Sequence, residues 1–327
     1  MSPSIRFVFL VSMMVAASVC ENADAQTATA KPKAKKKPPT LFAWVNPLPA
    51  KHHPAVSHAT FVSPSMKIDV GYTILLPPGY EAETTARFPT LYYLHGGRPG
   101  SETKSLGLVP HWHDAMAGGK VAPMIVVMVN GGPVSHYNLP DKPMSAGADV
   151  FIKELIPHID STYRTVADRG GRAIEGFSQG GRGTMRLSLR YPELFCSAAP
   201  GGGGYETEKR ISQSGGFETD TLKFAEGDNV WDLARAYAAE RPELGDLNAT
   251  TSETRAADSK RPSVAWVIYV GTKGFNYENN LEYMRFLDSL GVPYTRLVVP
   301  DVPHSAVGIY EKQGLEIMRF HAANFAR

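Results

Sequence analysis

One stretch limits the possible folds of this chain more than any other. Arg172-Ala173-Ile174-Glu175 reads as a short strand, Gly176-Phe177-Ser178-Gln179-Gly180 as a tight turn, and Gly181 to Arg190 as a helix stopped by Tyr191-Pro192. The turn fits G-x-S-x-G, which lifts a serine hydroxyl above the end of a strand. Such an elbow holds the serine in a strained backbone conformation. Flanking residues without Cβ let neighbouring chain pass close to it. The plainer reading is a glycine-rich loop whose serine only caps a helix. That reading predicts none of the other catalytic parts that occur elsewhere in the chain.

Around this unit, strand-like and helix-like segments alternate, the pattern of a mainly parallel α/β sheet covered by helices. Val70 to Leu76 reads as an early strand, Pro89 to Leu94 as a buried strand running into His95-Gly96-Gly97, and Met124 to Val129 as the next. Val150 to Tyr163 reads as a helix that Pro157 kinks or delays. Cys196 to Pro200 follows the elbow helix as a short strand. Val264 to Val270 and Tyr294 to Val299 are the last two strands, with helices at Leu281 to Leu290 and Val307 to Phe325. Tyr205 to Lys260 lacks this rhythm apart from one helix, Trp231 to Glu240. It reads as a cap-like insertion (205–260) over the active site. Trp231, Tyr205, Trp112 and Tyr137 are candidates to line an aromatic substrate cleft.

The N-terminus reads as a targeting segment. Arg6 precedes the apolar run Phe7 to Val19, too short to span a bilayer, and Ala23-Asp24-Ala25 offers an A-x-A cleavage site. Residues 1–25 are therefore expected to be a signal peptide, with Gln26 the first mature residue and an exported product, periplasmic or secreted. A lipoprotein reading through Cys20 is the rival, although Val19 stands where such sites favour a small residue. Residues 26–40, with five lysines between Lys31 and Lys37, read as a disordered Lys/Pro/Ala-rich linker. Residues 41–327 then form a single α/β domain. The formal net charge is +2, and without the leader and linker the charges nearly cancel, which gives no reason to expect a nucleic-acid partner. Cys196 alone remains after cleavage and reads as a buried small hydrophobe. No integral membrane segment is expected beyond the leader.

Acyl transfer needs a nucleophile, a base within hydrogen-bond reach and donors for the oxyanion. Ser178 is the nucleophile candidate. His304, in the loop after the last strand, is the base candidate, in the chain order Ser, acid, His. The oxyanion donors expected are the backbone N–H of Gln179 and that of Gly97, with Arg98 the alternative if the loop is one residue out of register. His111 and His113 would not share a helix face, and a tetrahedral metal site needs further ligands, so neither metal nor organic cofactor is expected. Gly201 to Gly204 lacks the Lys-Ser/Thr of a phosphate-binding loop.

The segments LYYLHGG, FIKELIPHIDSTYRT, RAIEGFSQGGRGTMRLSLRYPELF and VPHS resemble the putative-esterase family of α/β-hydrolases. That family includes esterase D-like and feruloyl esterases, enterochelin-esterase-like proteins and antigen 85 mycolyltransferases. The likeness runs from about Phe61 to the C-terminus and is weakest in 205–260. It implies an α/β-hydrolase fold, with Ser178 as nucleophile, His304 as base and Gly97 with Gln179 around the oxyanion. The departure is the acid, because Gly274 stands where the family carries an aspartate. Glu278, Asp301, or a dyad without any acid are the three readings that remain. The function expected is an exported serine esterase acting on feruloyl or acetyl esters of plant polysaccharide. A siderophore esterase, an acyltransferase and a non-catalytic hydrolase-fold binding protein are the alternatives.

Overall fold

Strands whose every residue is buried belong in the middle of a sheet covered on both faces. Four have that pattern: β3 (Thr90–Leu94), β4 (Ile125–Val129), β5 (Arg172–Phe177) and β6 (Ser197–Gly201). In the computed structural model, which describes residues 41–213, 223–241 and 261–326, they do lie at the centre of a sheet. The order is β1-β2-β4-β3-β5-β6-β7-β8, where β1 is Val56–Val62, β2 Asp69–Leu75, β7 Ala265–Lys273 and β8 Thr295–Pro303. β1 pairs with β2, and β2 with β4, antiparallel; every later pairing is parallel. This is the α/β-hydrolase fold. The edge strands β1 and β8 carry exposed residues along their length, unlike the central four.

Alternate residues of each central strand feed two apolar layers. Tyr92, Ile174 and Ile268 face one layer, with α2 (Ile156–Thr162), the elbow helix α3 (Gln179–Arg190), α5 (Val230–Ala239) and α6 (Tyr277–Ser289). Leu91, Ala173 and Val267 face the other, with α1 (Val109–Ala117) and the terminal helix α7 (Ala306–Asn324). A short helix, α4 (Glu208–Gln213), lies between β6 and α5. Pro157 has no N–H to donate, and the turns before it, Val150–Leu155, widen into a π-helix. Cys196 is buried.

The described residues belong to one compact unit, Thr40–Arg327. The expected signal peptide and linker lie outside the described residues, as does much of 205–260. The parts of that insertion that are described pack on the flank of the sheet. Trp231 lies 4.6 Å from the Phe286 ring and edge-on to Tyr283, and Tyr283 Oη–H donates to Val230 O. Tyr205 and Tyr137 are buried, and Trp112 is buried with its indole N–H on Tyr310 Oη. Trp112, Tyr137 and Tyr205 thus serve packing, and Trp231 is half-buried against α6. No helix among the described residues is long and apolar enough to cross a membrane.

Candidate active site

Ser178 has φ 61° and ψ −120°, a conformation a non-glycine residue adopts only when its surroundings force it. The forcing is visible at the glycines. A Cβ on Gly180 would lie 2.0 Å from Leu94 O, and one on Gly176 would lie 2.7 Å from the Gly180 backbone. Chain passes through both spaces, so the elbow cannot relax without unseating β3.

The turn lifts Ser178 Oγ to 2.9 Å from His304 Nε2, although the two residues are 126 positions apart. His304 follows β8 and precedes α7, whose N-terminus is capped by Ser305 through its side-chain oxygen and Gly308 N–H. Phe177 and Phe275 flank the imidazole, with ring centroids at 4.7 and 4.3 Å. Burial lowers the pKa of His304, which keeps the ring neutral and able to accept the serine proton.

The other ring nitrogen meets neither carboxylate considered from the sequence. His304 Nδ1 lies 3.1 Å from Oδ1 of Asn276, a buried residue at the start of α6. Glu278 is exposed in the first turn of that helix and makes no hydrogen bond to the imidazole. Its side chain points to solvent because Asn276, two residues earlier, occupies the inward position. Asp301 is exposed near the end of β8 and pairs with Lys273 at 2.8 Å. Asn276 is a residue the sequence reading missed: only carboxylates were candidates for orienting the imidazole, and no local pattern marks a buried amide as one.

Of the two residues expected around an oxyanion, Gln179 follows Ser178 directly and Gly97 lies on the loop after β3. Gln179 opens α3, where no intrahelical acceptor exists for its N–H. Gly97 has φ 67°, and its carbonyl is held at 2.5 Å by the Ser135 hydroxyl. Next to it, a Cβ on Gly96 would come within 3.1 Å of Ser178 Cβ, so this loop abuts the elbow. Beside the loop lies a cleft of about 110 Å³, bounded by Lys104, Leu108, Phe177, Ala306 and Val307.

A serine on a strained elbow above a mainly parallel sheet, with an imidazole in contact with it, is the arrangement of an α/β-hydrolase. The chain belongs to the Putative esterase family, whose model matches residues 63–270. An esterase of Mycobacterium tuberculosis is 30% identical over 153 residues, which is 46% of this chain and 32% of that protein. An endo-1,4-beta-xylanase/feruloyl esterase of Xylanibacter ruminicola is 33% identical over 159 residues, 44% of this chain and 21% of the relative. The match thus spans a third or less of these curated relatives. Among solved structures, a ferulic acid esterase is 25% identical with a TM-score of 0.64, covering 83% of this chain and 98% of that one. An S-formylglutathione hydrolase from Agrobacterium tumefaciens shares the fold at 15% identity, with a TM-score of 0.61 and coverage of 83% and 95%.

Proposed function

We propose that this chain is a serine carboxylic-ester hydrolase that works through an acyl-enzyme. The observation that carries the reading is the 2.9 Å contact of Ser178 Oγ with His304 Nε2 above the sheet. As Ser178 Oγ bonds to the ester carbonyl carbon, its proton passes to His304 Nε2. The carbonyl oxygen becomes an oxyanion held by the N–H groups of Gly97 and Gln179. Collapse expels the alcohol, which takes the proton from the imidazolium. Water, activated by the same imidazole, then hydrolyses the acyl-serine. The residues present supply nucleophile, base and electrophilic donors for each of these steps.

The substrates proposed are feruloyl or acetyl esters of plant polysaccharide. Family membership supports an ester, and the feruloyl esterase names of two relatives support the acyl group. Export is part of the proposal and rests on the leader-like Phe7 to Val19 and Ala23-Asp24-Ala25.

A fluorophosphonate probe tests the mechanism. Wild-type protein is expected to label, and Ser178→Ala to lose both labelling and esterase activity while keeping its fold by circular dichroism. Folded wild type that does not label would leave a hydrolase-fold binding protein instead. A panel of feruloyl, acetyl-xylan, aryl and siderophore esters then ranks the substrates.

A further inference from the structure

We propose that Asn276 is the positioning residue of His304, and that it works as a neutral amide in a site built to refuse a carboxylate. This rests on the Ser178–His304 reading above. An amide can present either its oxygen or its nitrogen, and the choice decides which tautomer the imidazole adopts. Here the choice is forced. Asn276 Nδ2 donates to Gly202 O at 2.5 Å and to Gly203 O at 3.0 Å. Turning the amide over would set its oxygen against two carbonyl oxygens. Oδ1 therefore faces His304 Nδ1 at 3.1 Å and accepts its N–H. With the proton on Nδ1, Nε2 carries the lone pair that takes the Ser178 proton.

The consequence is opposite to that of placing an amide in a site made for an aspartate. There the NH₂ turns towards the imidazole, the wrong tautomer is held and the rate collapses. Here the two glycine carbonyls occupy the NH₂ and leave only the oxygen for the histidine. The same carbonyls would repel the second oxygen of an aspartate. The loop that supplies them is itself fixed by amides: Asn280 Nδ2 donates to Gly203 O at 2.8 Å, and Asn279 Oδ1 accepts the Tyr205 N–H at 2.8 Å. Gly202 has φ 48°, and a Cβ there would lie 2.8 Å from Phe177 and 3.5 Å from His304 Cε1, so loop and imidazole are closely packed. An amide orients the ring but adds no negative charge to stabilise the imidazolium.

Asn276→Ala and Asn276→Asp test this, read by kcat, KM, the pH profile of kcat/KM on an aryl ester, and thermal unfolding. In Asn276→Ala, kcat is expected to fall about 10- to 100-fold, within the share that a positioned acid–base group supplies, with KM nearly unchanged. In Asn276→Asp the carboxylate should move the acid limb up by about one pH unit, because an opposite charge favours the imidazolium. Its plateau rate should stay at or below wild type, and its Tm should drop as the new oxygen meets the Gly202 and Gly203 carbonyls. An unmoved limb in Asn276→Asp would mean that position 276 does not address the imidazole. A plateau above wild type with no loss of Tm would mean that the site accepts a carboxylate. Either result, or an unchanged kcat in Asn276→Ala, overturns the inference. Ser178→Ala labelled in parallel separates the two levels, since labelling that survives there overturns the serine reading itself.

Discussion

At the scale of single residues, the proposed mechanism makes the imidazole set the working pH range. His304 must be neutral to act as base, so activity appears as pH rises through its pKa in the folded protein. Burial between Phe177 and Phe275 lowers that pKa, and Asn276 brings no charge to raise it. The acid limb of kcat/KM should therefore lie below about 6.5, the ordinary histidine value. A pH profile from 4 to 9 checks this, and a limb centred above 7 would contradict it. The reading also explains why an amide suffices: a base already held neutral needs its tautomer fixed more than its pKa raised.

At the scale of elements, the strand carrying Ser178 is supported from beneath. Glu175 on β5 is fully buried, and its carboxylate accepts from Tyr310 Oη at 2.7 and 2.8 Å and from Tyr269 Oη at 3.0 Å. Tyr310 lies on α7 and itself accepts the Trp112 N–H of α1 at 3.0 Å. One hydroxyl thus joins two helices to the strand before the elbow. Tyr310→Phe leaves a buried carboxylate short of a donor and an indole without its acceptor. It should cost about 1–3 kcal/mol by urea unfolding, with kcat of the folded fraction within about twofold of wild type. A loss too small to measure would mean that water or a neighbour replaces the hydroxyl. This network also marks how far the sequence could be read. β3, β4 and β7 were legible as apolar runs, and the elbow as glycine spacing. β1 was not, because Val56–Val62 is an edge strand with His58 and exposed Val62, and it lacks a continuous apolar run. Glu175 passed as an ordinary strand residue, since its partners come from 94 and 135 positions away. Asn276 was missed for a different reason: its role depends on where two glycine carbonyls point, and no local pattern encodes that.

At the scale of the whole molecule, two buried histidines join parts that are distant in sequence. His95 ends the β3 segment and accepts the Gly131 N–H on Nε2 at 3.2 Å. His136 has φ 68°, and its Nε2–H donates to His95 O at 3.1 Å. Arg186 on α3 donates to His136 O and forms a buried pair with Asp228 at 2.7 Å, so the cluster reaches the segment leading to α5. Burial pushes the His95 pKa down to about 3 and that of His136 well below the usual value. Both stay neutral in the folded protein and become charged in the unfolded chain at about 6.5. Below that pH the unfolded state binds more protons, so stability is complete above about 6.5 and is lost as pH falls towards the folded values. Each such histidine contributes a slope of up to about 1.4 kcal/mol per pH unit in this window. Between pH 6.5 and 5 few ordinary carboxylates titrate, so the loss there belongs mainly to histidines. Urea unfolding at pH 7.5, 6.0 and 5.0 should show a flat region and then a steep decline. His136→Asn tolerates the left-handed backbone and does not titrate, so its decline should be shallower than that of wild type even if its stability at pH 7.5 is lower. Identical slopes in the two proteins would mean that His136 takes up its proton without unfolding. The cluster would then be open to solvent, contrary to the burial that makes it a junction between the end of β3 and the elbow helix.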